Sequence, residues 1–187
     1  MIKIINFLKH APLLRHPEFI VDNLISLDPN TLKQQNTTAL ILDFDGVLAP
    51  EGDLHPLPEV IEWLDKALQV FGSQRLFILS NNPLPARKLF FEQYFNNQII
   101  FIIANPKPDP QGIMITFNIL KAKNATIEKS QILLIDDRLS TGILAAKIFG
   151  VASCLIRRPY VNLKNNFFRE FLFICLRTIE RISIWRL

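Results

Sequence analysis

Two aspartates two positions apart, Asp43 and Asp45, follow directly on a short apolar run at 39–42. A run of this length and composition favours a buried parallel strand, and open α/β sheets bind their ligands beyond the carboxyl ends of such strands. Residues two apart share one face of a strand, and a turn at Gly46 would leave both carboxylates close to one point. Paired carboxylates are costly unless a cation or a transferring group neutralises them. The pattern therefore predicts a catalytic site that binds a cation.

Three further sets of polar residues each follow another predicted strand. They are Ser80 with Asn81, Lys107, and the pair Asp136 and Asp137. The carboxyl ends of parallel strands meet at one edge of a sheet, so these side chains are expected beside Asp43 and Asp45. A hydroxyl, a lysine and several carboxylates suit phosphoryl transfer, in which positioning and charge neutralisation supply most of the catalysis. Taken singly, each has a simpler explanation as a helix cap, a turn residue or a solvated lysine.

The elements that must position these residues follow from the alternation of apolar patterns along the chain. Strands are predicted at 39–43, 75–80, 99–104, 131–136 and 152–157, and helices at 58–71, 83–95, 110–122 and 139–149. This alternation predicts an α/β fold of three layers, in which helices cover both faces of a central parallel sheet. The connections between the first strands are too short for an inserted cap domain. The site is therefore expected to be open to a bulky or membrane-embedded head group.

With 187 residues, of which 49% are hydrophobic, the chain is expected to form one globular domain. We divide it into a leader at 1–38, a catalytic core at 39–158 and a basic amphipathic C-terminal helix at 159–187. No uninterrupted apolar run is long enough to predict a transmembrane helix. Cys154 and Cys175 have no partner at metal-ligand spacing, which is typical of buried thiols in a reducing compartment.

The basic charge is concentrated at the C-terminal end. Residues 157–187 hold seven Lys or Arg and two Glu, whereas the net charge of the whole chain is +4. This imbalance indicates an anionic partner for the tail. Nucleic acid is not expected to be that partner, because the basic residues are interleaved with a continuous apolar face.

In this order, each closing a predicted strand, the four sets of residues resemble the motifs of the haloacid dehalogenase (HAD) superfamily of aspartate-nucleophile phosphotransferases. The resemblance implies a Rossmann-like HAD fold without a cap (subclass III). It implies that Asp43 attacks phosphorus and that Asp45 protonates the leaving oxygen and then activates water. Lys107 would offset the clustered negative charge, and Ser80 and Asn81 would bind the substrate phosphate.

The same resemblance implies a Mg²⁺ cofactor. The ion would be held by the Asp43 carboxylate, the backbone carbonyl of Asp45 and an acid of the pair Asp136 and Asp137. Which acid of the pair is the direct ligand stays open. Asp137 is favoured as the ligand, with the other acid capping the helix that follows.

The surroundings of the motifs resemble a narrower group, the phosphatidylglycerophosphate phosphatases of bacteria and fungal mitochondria. The likeness lies in the leader segments 14–21 and 27–33, the paired asparagines at 81–82 and the closing segment 178–181, within residues 14–185. It implies that phosphatidylglycerophosphate is converted to phosphatidylglycerol, so the partner would be an anionic phospholipid head group. The protein would be cytoplasmic and peripheral on the inner face of the membrane, or on the matrix side in mitochondria.

Three positions depart from the usual residues of that group. Val47 stands where Thr is common, Asp136 stands where a Gly usually precedes the metal-binding acid, and Gly142 stands where a further Asp is usual. The double aspartate is a variant of the fourth motif and would compensate for the acid that is missing at 142.

A helix at 167–187 would be amphipathic. Its apolar face would comprise Phe168, Phe171, Leu172, Cys175, Ile179 and Ile182. Most of its Arg and Glu residues would lie on the opposite face. Two interpretations stay open: the apolar face packs on the sheet under a solvated charged face, or the helix rests on anionic lipid.

Two other functions also stay open. The first is a capless HAD phosphatase for a soluble sugar phosphate, nucleotide or phosphoprotein, which would gain a lid by oligomerising. The second is a catalytically weak HAD-fold binding protein at the membrane, which Gly142 and the altered fourth motif suggest. The retained catalytic motifs argue against the second.

Overall fold

Six parallel strands form one sheet in the computed structural model, which describes residues 17–164 and 167–186 without the side chains at 169 and 183–186. The strands are β1 (Phe19–Val21), β2 (Ala39–Leu42), β3 (Leu76–Leu79), β4 (Ile99–Ile102), β5 (Ile132–Asp136) and β6 (Ala152–Ile156). Their order across the sheet is β1-β6-β5-β2-β3-β4. The strand that carries the first aspartate pair, β2, therefore lies between β5 and β3, whose carboxyl ends carry two further motifs.

Six α-helices accompany the sheet in the described part of the chain. They are α1 (Pro29–Gln34), α2 (Pro58–Phe71), α3 (Pro85–Tyr94), α4 (Gln111–Lys123), α5 (Leu144–Phe149) and α6 (Phe167–Arg186). The predicted bounds of α2 are confirmed. The predicted start of α3 at 83 is wrong, because Leu84 precedes a proline and has an extended backbone with ψ of 134°. The predicted helix 139–149 is also divided: residues Leu139–Ile143 form a π-helical turn before α5.

Alternate residues of β2 point to opposite faces of the sheet, and each face has its own apolar core. Leu40 and Leu42 belong to the core that includes residues of α2 and α3. Ala39 and Ile41 belong to the core that includes residues of α4 and α5. The predicted three-layer α/β fold is thus confirmed. One helix separates β2 from β3 and one separates β3 from β4, so neither connection holds a cap domain.

The edge strand β1 was not predicted. It pairs with β6, with Phe19 opposite Cys154 and Val21 opposite Ile156. Next to it, the Glu18 carboxylate accepts hydrogen bonds from the backbone N–H and the hydroxyl of Ser153, at 2.8 and 2.7 Å. A three-residue strand is too short for periodicity to reveal. The leader predicted at 1–38 therefore contributes to the sheet, and its residues 1–16 lie outside the described part of the chain.

Helix α6 has its charged face toward the protein and its apolar face toward solvent. Glu170, Arg177 and Glu180 are 0%, 4% and 8% exposed, whereas Phe168 is 87% and Ile179 60% exposed. The interpretation in which the apolar face packs on the sheet is therefore wrong. These charged side chains are buried because they bind ion-pair partners or backbone N–H groups of other segments. Across the described residues, no helix combines the length and hydrophobicity needed to cross a bilayer.

Candidate active site

Asp43 lies at the carboxyl end of β2, in the centre of the sheet. Its backbone N–H donates to the carbonyl of Ile135 on β5, at 3.0 Å. Its Oδ1 accepts the backbone N–H of Phe44 at 2.8 Å and lies 2.8 Å from Nζ of Lys107. Burial raises the pKa of Asp43 well above its usual value, Lys107 opposes that shift, and the neighbouring Asp136 adds to it. A cation on this carboxylate is therefore needed to keep it ionised.

Lys107 supplies one such cation from the segment after β4. It is buried, and its ammonium also lies 2.6 Å from Oδ2 of Asp136. Burial alone would lower the pKa of Lys107, but the carboxylates of Asp136 and Asp43 outweigh it and raise the pKa. The side chain of Asn81 binds the backbone of Lys107 and so fixes this segment. Its Oδ1 accepts from the Lys107 N–H at 2.7 Å, and its Nδ2 donates to the Lys107 carbonyl at 3.2 Å. The lysine is thus a fixed positive charge between two acids.

Three carboxylates meet at this edge of the sheet. Asp43, Asp136 and Asp137 each offer one oxygen atom within 4.8 Å of the others. Burial raises the pKa of Asp137 to about 7; Arg177 opposes this shift and Asp136 adds to it. Clustered carboxylate oxygens are the ligands that a hard divalent cation takes. The donor set therefore fits Mg²⁺.

Asp136 and Asp137 have different partners. Asp136 accepts the backbone N–H of Arg138 at 2.8 Å in addition to its ion pair with Lys107. Asp137 faces α6, where its Oδ2 accepts from Nε of Arg177 at 2.5 Å. The prediction that one acid of the pair caps the following helix is wrong: the helical turn begins at Leu139, and the Glu180 carboxylate of α6 accepts the N–H groups of Leu139 and Ser140. The assignment of Asp137 as the direct metal ligand stays a prediction.

Asp45 is held by an arginine that none of the sequence motifs indicated. Arg87 on α3 is fully buried and binds both oxygens of Asp45, with Nη2–Oδ1 at 2.6 Å and Nη1–Oδ2 at 2.9 Å. Its guanidinium also lies 3.9 Å from the ring centroid of Phe44. A positive charge in the first turn of a helix opposes the helix dipole, and this local conflict was the available signal. The arrangement orients the Asp45 carboxylate.

Ser80 is buried at the end of β3. Its hydroxyl accepts the backbone N–H of Asn82 at 3.0 Å and lies 3.4 Å from Nη1 of Arg87. The second motif therefore contacts both the arginine that orients Asp45 and, through Asn81, the loop that carries Lys107. The roles of Ser80 and Asn81 in phosphate binding stay predictions.

A cleft of about 200 Å³ opens at this edge of the sheet. It is lined by the predicted site residues Asp43, Asp45, Asn81 and Asp137, together with Glu51, Asn82, Arg138, Thr141, Phe173 and Arg177. Phe173 and Arg177 come from α6, which lies outside the predicted catalytic core at 39–158. The C-terminal helix is therefore one wall of the candidate active site.

The inward face of α6 is tied to this wall by charged side chains. Glu180 accepts the backbone N–H of Leu139 at 3.0 Å and forms an ion pair with Arg138 at 2.5 Å. Near the other end of the helix, Glu170 accepts the backbone N–H of Glu51 at 3.0 Å. No sequence signal separated these residues from an ordinary solvated face, because their partners lie far away in the chain.

The chain matches the family described as mitochondrial PGP phosphatase over residues 2–161. It is 28% identical over 140 residues to the "Probable phosphatase YqeG" of Bacillus subtilis (strain 168), and the match covers 75% of this chain and 76% of that protein. A solved structure of an uncharacterized protein from Corynebacterium glutamicum ATCC 13032 Kitasato is similar at a TM-score of 0.45 and 18% identity, covering 76% of this chain and 96% of that one.

The family match spans the motifs at 43–45, 80–81, 107 and 136–137, which the structure brings to one edge of the sheet. The resemblance to HAD phosphatases is confirmed, and the protein is a phosphatase, a hydrolase of phosphoric monoesters. Helix α6 lies beyond the matched residues. The chain belongs to the mitochondrial PGP phosphatase family.

Proposed function

We propose that this protein is a Mg²⁺-dependent phosphatase that converts phosphatidylglycerophosphate to phosphatidylglycerol at a membrane surface. The observation that carries the chemistry is the position of Asp43: its carboxylate lies 2.8 Å from the Lys107 ammonium and lines an open cleft with Asp45. The family membership supports the choice of substrate.

In the first step, a carboxylate oxygen of Asp43 attacks phosphorus and the bond between phosphorus and the glycerol oxygen breaks. The product is an aspartyl-phosphate, which divides the hydrolysis into two easier steps. Lys107 remains protonated, since its pKa is raised, and its charge lies against the reacting carboxylate. It reduces the repulsion between Asp43 and the incoming phosphate dianion.

Asp45 is the group that moves protons. In its protonated form it gives a proton to the departing glycerol oxygen and becomes a carboxylate. The carboxylate then accepts a proton from the water that attacks the aspartyl-phosphate, which restores the protonated form. This second step releases inorganic phosphate and restores the Asp43 carboxylate. Arg87 keeps the Asp45 carboxylate in one orientation through its two hydrogen bonds.

The residues that would hold Mg²⁺ are Asp43 and Asp137, with the backbone carbonyl of Asp45 and with Asp136 beside them. A bound Mg²⁺ would neutralise charge on the transferring phosphoryl group. The three acids carry more negative charge than Lys107 and Arg177 together offset, which supports a binding site for a further cation here.

The outward face of α6 supports the membrane part of the proposal. Phe168, Phe171, Leu172 and Ile179 are all more than half exposed, and they form a contiguous apolar surface on the helix that borders the cleft. An apolar surface of this kind marks a contact with lipid or with another protein. Arg157 and Arg158 pair with the same carboxylate, Asp22, so one positive charge is left over. Arg181 of α6 donates to the Arg157 carbonyl at 2.8 Å, so this charge lies beside the helix and favours anionic lipid as the partner.

The experiment that tests the proposal measures phosphate release from phosphatidylglycerophosphate in mixed micelles. Wild type is compared with Asp43→Asn, with and without Mg²⁺. Release that requires both Mg²⁺ and Asp43 supports the proposal. Intact lipid, alongside turnover of a soluble sugar phosphate or nucleotide by the same preparation, would replace it with the soluble-substrate phosphatase.

A further inference from the structure

Helix α6 places one arginine, Arg177, in the wall of the catalytic cleft. The side chain is 4% exposed and lines the cleft together with Asp43, Asp45 and Asp137. The family match ends at residue 161, so this arginine comes from a segment outside the matched residues. Its own contacts indicate its role.

The guanidinium of Arg177 is only partly satisfied within the protein. Its Nε donates to Asp137 Oδ2 at 2.5 Å. Its Nη1 is buried and has no hydrogen-bond partner among the described residues. A buried donor on a charged group costs free energy when it has no partner. An arginine in this condition, in the wall of a cleft, fits an anionic ligand that supplies the missing acceptor.

Arg177 also borders a second cavity. A groove of about 200 Å³ is lined by Pro159, Val161, Ile174, Thr178 and Arg181, and Arg177 lines both this groove and the catalytic cleft. The second groove combines apolar side chains with a second arginine. Its composition suits an anionic group that is followed by an apolar chain.

We infer that Arg177 binds a second anionic group of the substrate, a phosphodiester, while the scissile phosphomonoester occupies the cleft at Asp43. The inference deepens the proposed function and rests on it in one respect, that the cleft binds a phosphomonoester. Arg177 is then a residue that determines specificity. It selects phosphomonoesters that carry a phosphodiester nearby over those that carry a single phosphate.

Two soluble compounds test this preference without a membrane. One is glycerophosphoglycerol phosphate, the deacylated form of the proposed lipid, which has a phosphodiester as well as the phosphomonoester. The other is glycerol 3-phosphate, which has the phosphomonoester alone. The variants are Arg177→Gln and Arg177→Lys, and the control is Arg158→Gln, whose side chain is 75% exposed and lines neither cavity.

Arg177→Gln is expected to raise KM for glycerophosphoglycerol phosphate by about tenfold or more, the effect of losing one charge-assisted hydrogen bond. A loss that comes only from the broken contact with Asp137 would change KM for both compounds alike. The expected result is therefore a shift of about tenfold or more in the ratio of the two KM values, against glycerophosphoglycerol phosphate, at saturating Mg²⁺. Arg177→Lys keeps the charge and should recover part of the loss, while Arg158→Gln should match the wild type. Thermal unfolding of each variant shows whether it is folded.

Calorimetric binding of glycerophosphoglycerol phosphate to Asp43→Asn, with and without Arg177→Gln, gives a readout that does not depend on turnover. Weaker binding in the double variant supports the inference. An equal loss for both compounds would overturn it and leave Arg177 as an ion-pair partner that positions Asp137. Unchanged binding would also overturn it. A further result would separate the two proposals. If Asp43→Asn binds glycerophosphoglycerol phosphate but the wild type does not hydrolyse phosphatidylglycerophosphate, the proposed lipid substrate is wrong while the role of Arg177 stands.

Discussion

A carboxylate at Asp136 and a side chain at position 142 exclude each other. A Cβ atom built on Gly142 would lie 2.0 Å from Oδ2 and 2.3 Å from Cγ of Asp136. Only a glycine fits where the π-helical turn passes the end of β5. The two departures from the usual family residues, an acid at 136 and a glycine at 142, are therefore linked in space: the Asp136 carboxylate occupies the volume that a residue at 142 would otherwise fill.

The first prediction follows from this exclusion. Gly142→Ala should destabilise the protein by about 1–3 kcal/mol, because Asp136 is fully buried and held by Lys107 and by the Arg138 N–H. In the Asp136→Gly background the same change should cost less than about 0.5 kcal/mol, since the space is then free. Denaturant unfolding of the four proteins in the cycle gives the coupling. Equal costs in both backgrounds would show that the two positions do not compete.

The second prediction concerns Arg87 and the protonating role of Asp45. Arg87→Lys keeps a positive charge but loses the bidentate contact with Asp45. Because Asp45 is then less well oriented to protonate the leaving group, kcat on an alkyl phosphate should fall by about 10–100-fold. The loss on p-nitrophenyl phosphate should be much smaller, because its leaving group departs without a proton. Steady-state kinetics on both substrates measures the difference.

Lys88→Arg is the matched control for Arg87→Lys, since Lys88 lies on the same helix in an exposed pair with Glu92. It should leave both rates unchanged. A uniform loss on both substrates in Arg87→Lys would mean that Arg87 supports the fold of the site but not the orientation of Asp45.

The third prediction is a pH dependence of metal binding. Burial raises the pKa of Asp137 to about 7, so in the metal-free protein this acid is increasingly protonated as the pH falls below 7. A ligand carboxylate must be ionised to bind Mg²⁺, so the affinity should rise between about pH 6 and pH 8, with release of a proton. Calorimetry in buffers of different ionisation enthalpy detects that proton. Asp137→Asn should bind more weakly and release fewer protons, while the raised pKa of Asp43 leaves part of the pH dependence in place. A variant that released as many protons as the wild type would assign the titration to another group.

The fourth prediction concerns the outward face of α6. Phe168→Ser with Ile179→Ser should reduce binding to vesicles that contain anionic phosphatidylglycerol by about tenfold or more, since each change removes apolar surface that would enter the interface. Turnover of a soluble phosphomonoester should stay unchanged, because neither side chain lines the cleft. Co-sedimentation with vesicles measures the first effect.

Ile103→Ser is the matched control for the α6 variants, because Ile103 is equally exposed, at 59%, but lies after β4. It should bind vesicles like the wild type. If the α6 variants instead change the oligomeric state and leave vesicle binding intact, the face contacts a second copy of the chain and not lipid.

Much of the fold could be read from local patterns. The helix at 58–71 and the five longer strands follow from apolar periodicity and flanking prolines, which act over a few residues. The edge strand β1 escaped prediction because three residues carry no usable period, and its stability depends on pairing with β6, far away in the chain. The start of α3 was predicted at Pro83 and lies at Pro85, because either proline suits the first turn of a helix.

By itself, the sequence determined which residues could do chemistry and in what order they occur. Carboxylates, a serine and a lysine at the ends of apolar runs are a local signal, and the carboxyl ends of parallel strands lie at one edge of the sheet. Only the tertiary structure decided which face of α6 points inward. The amphipathic period of a helix is the same whether its apolar or its charged face points inward. A charged face can be buried only where other segments supply ion-pair or hydrogen-bond partners. Here Asp137, Arg138 and the N–H groups at 51 and 139 supply those partners, so the apolar face is left outward.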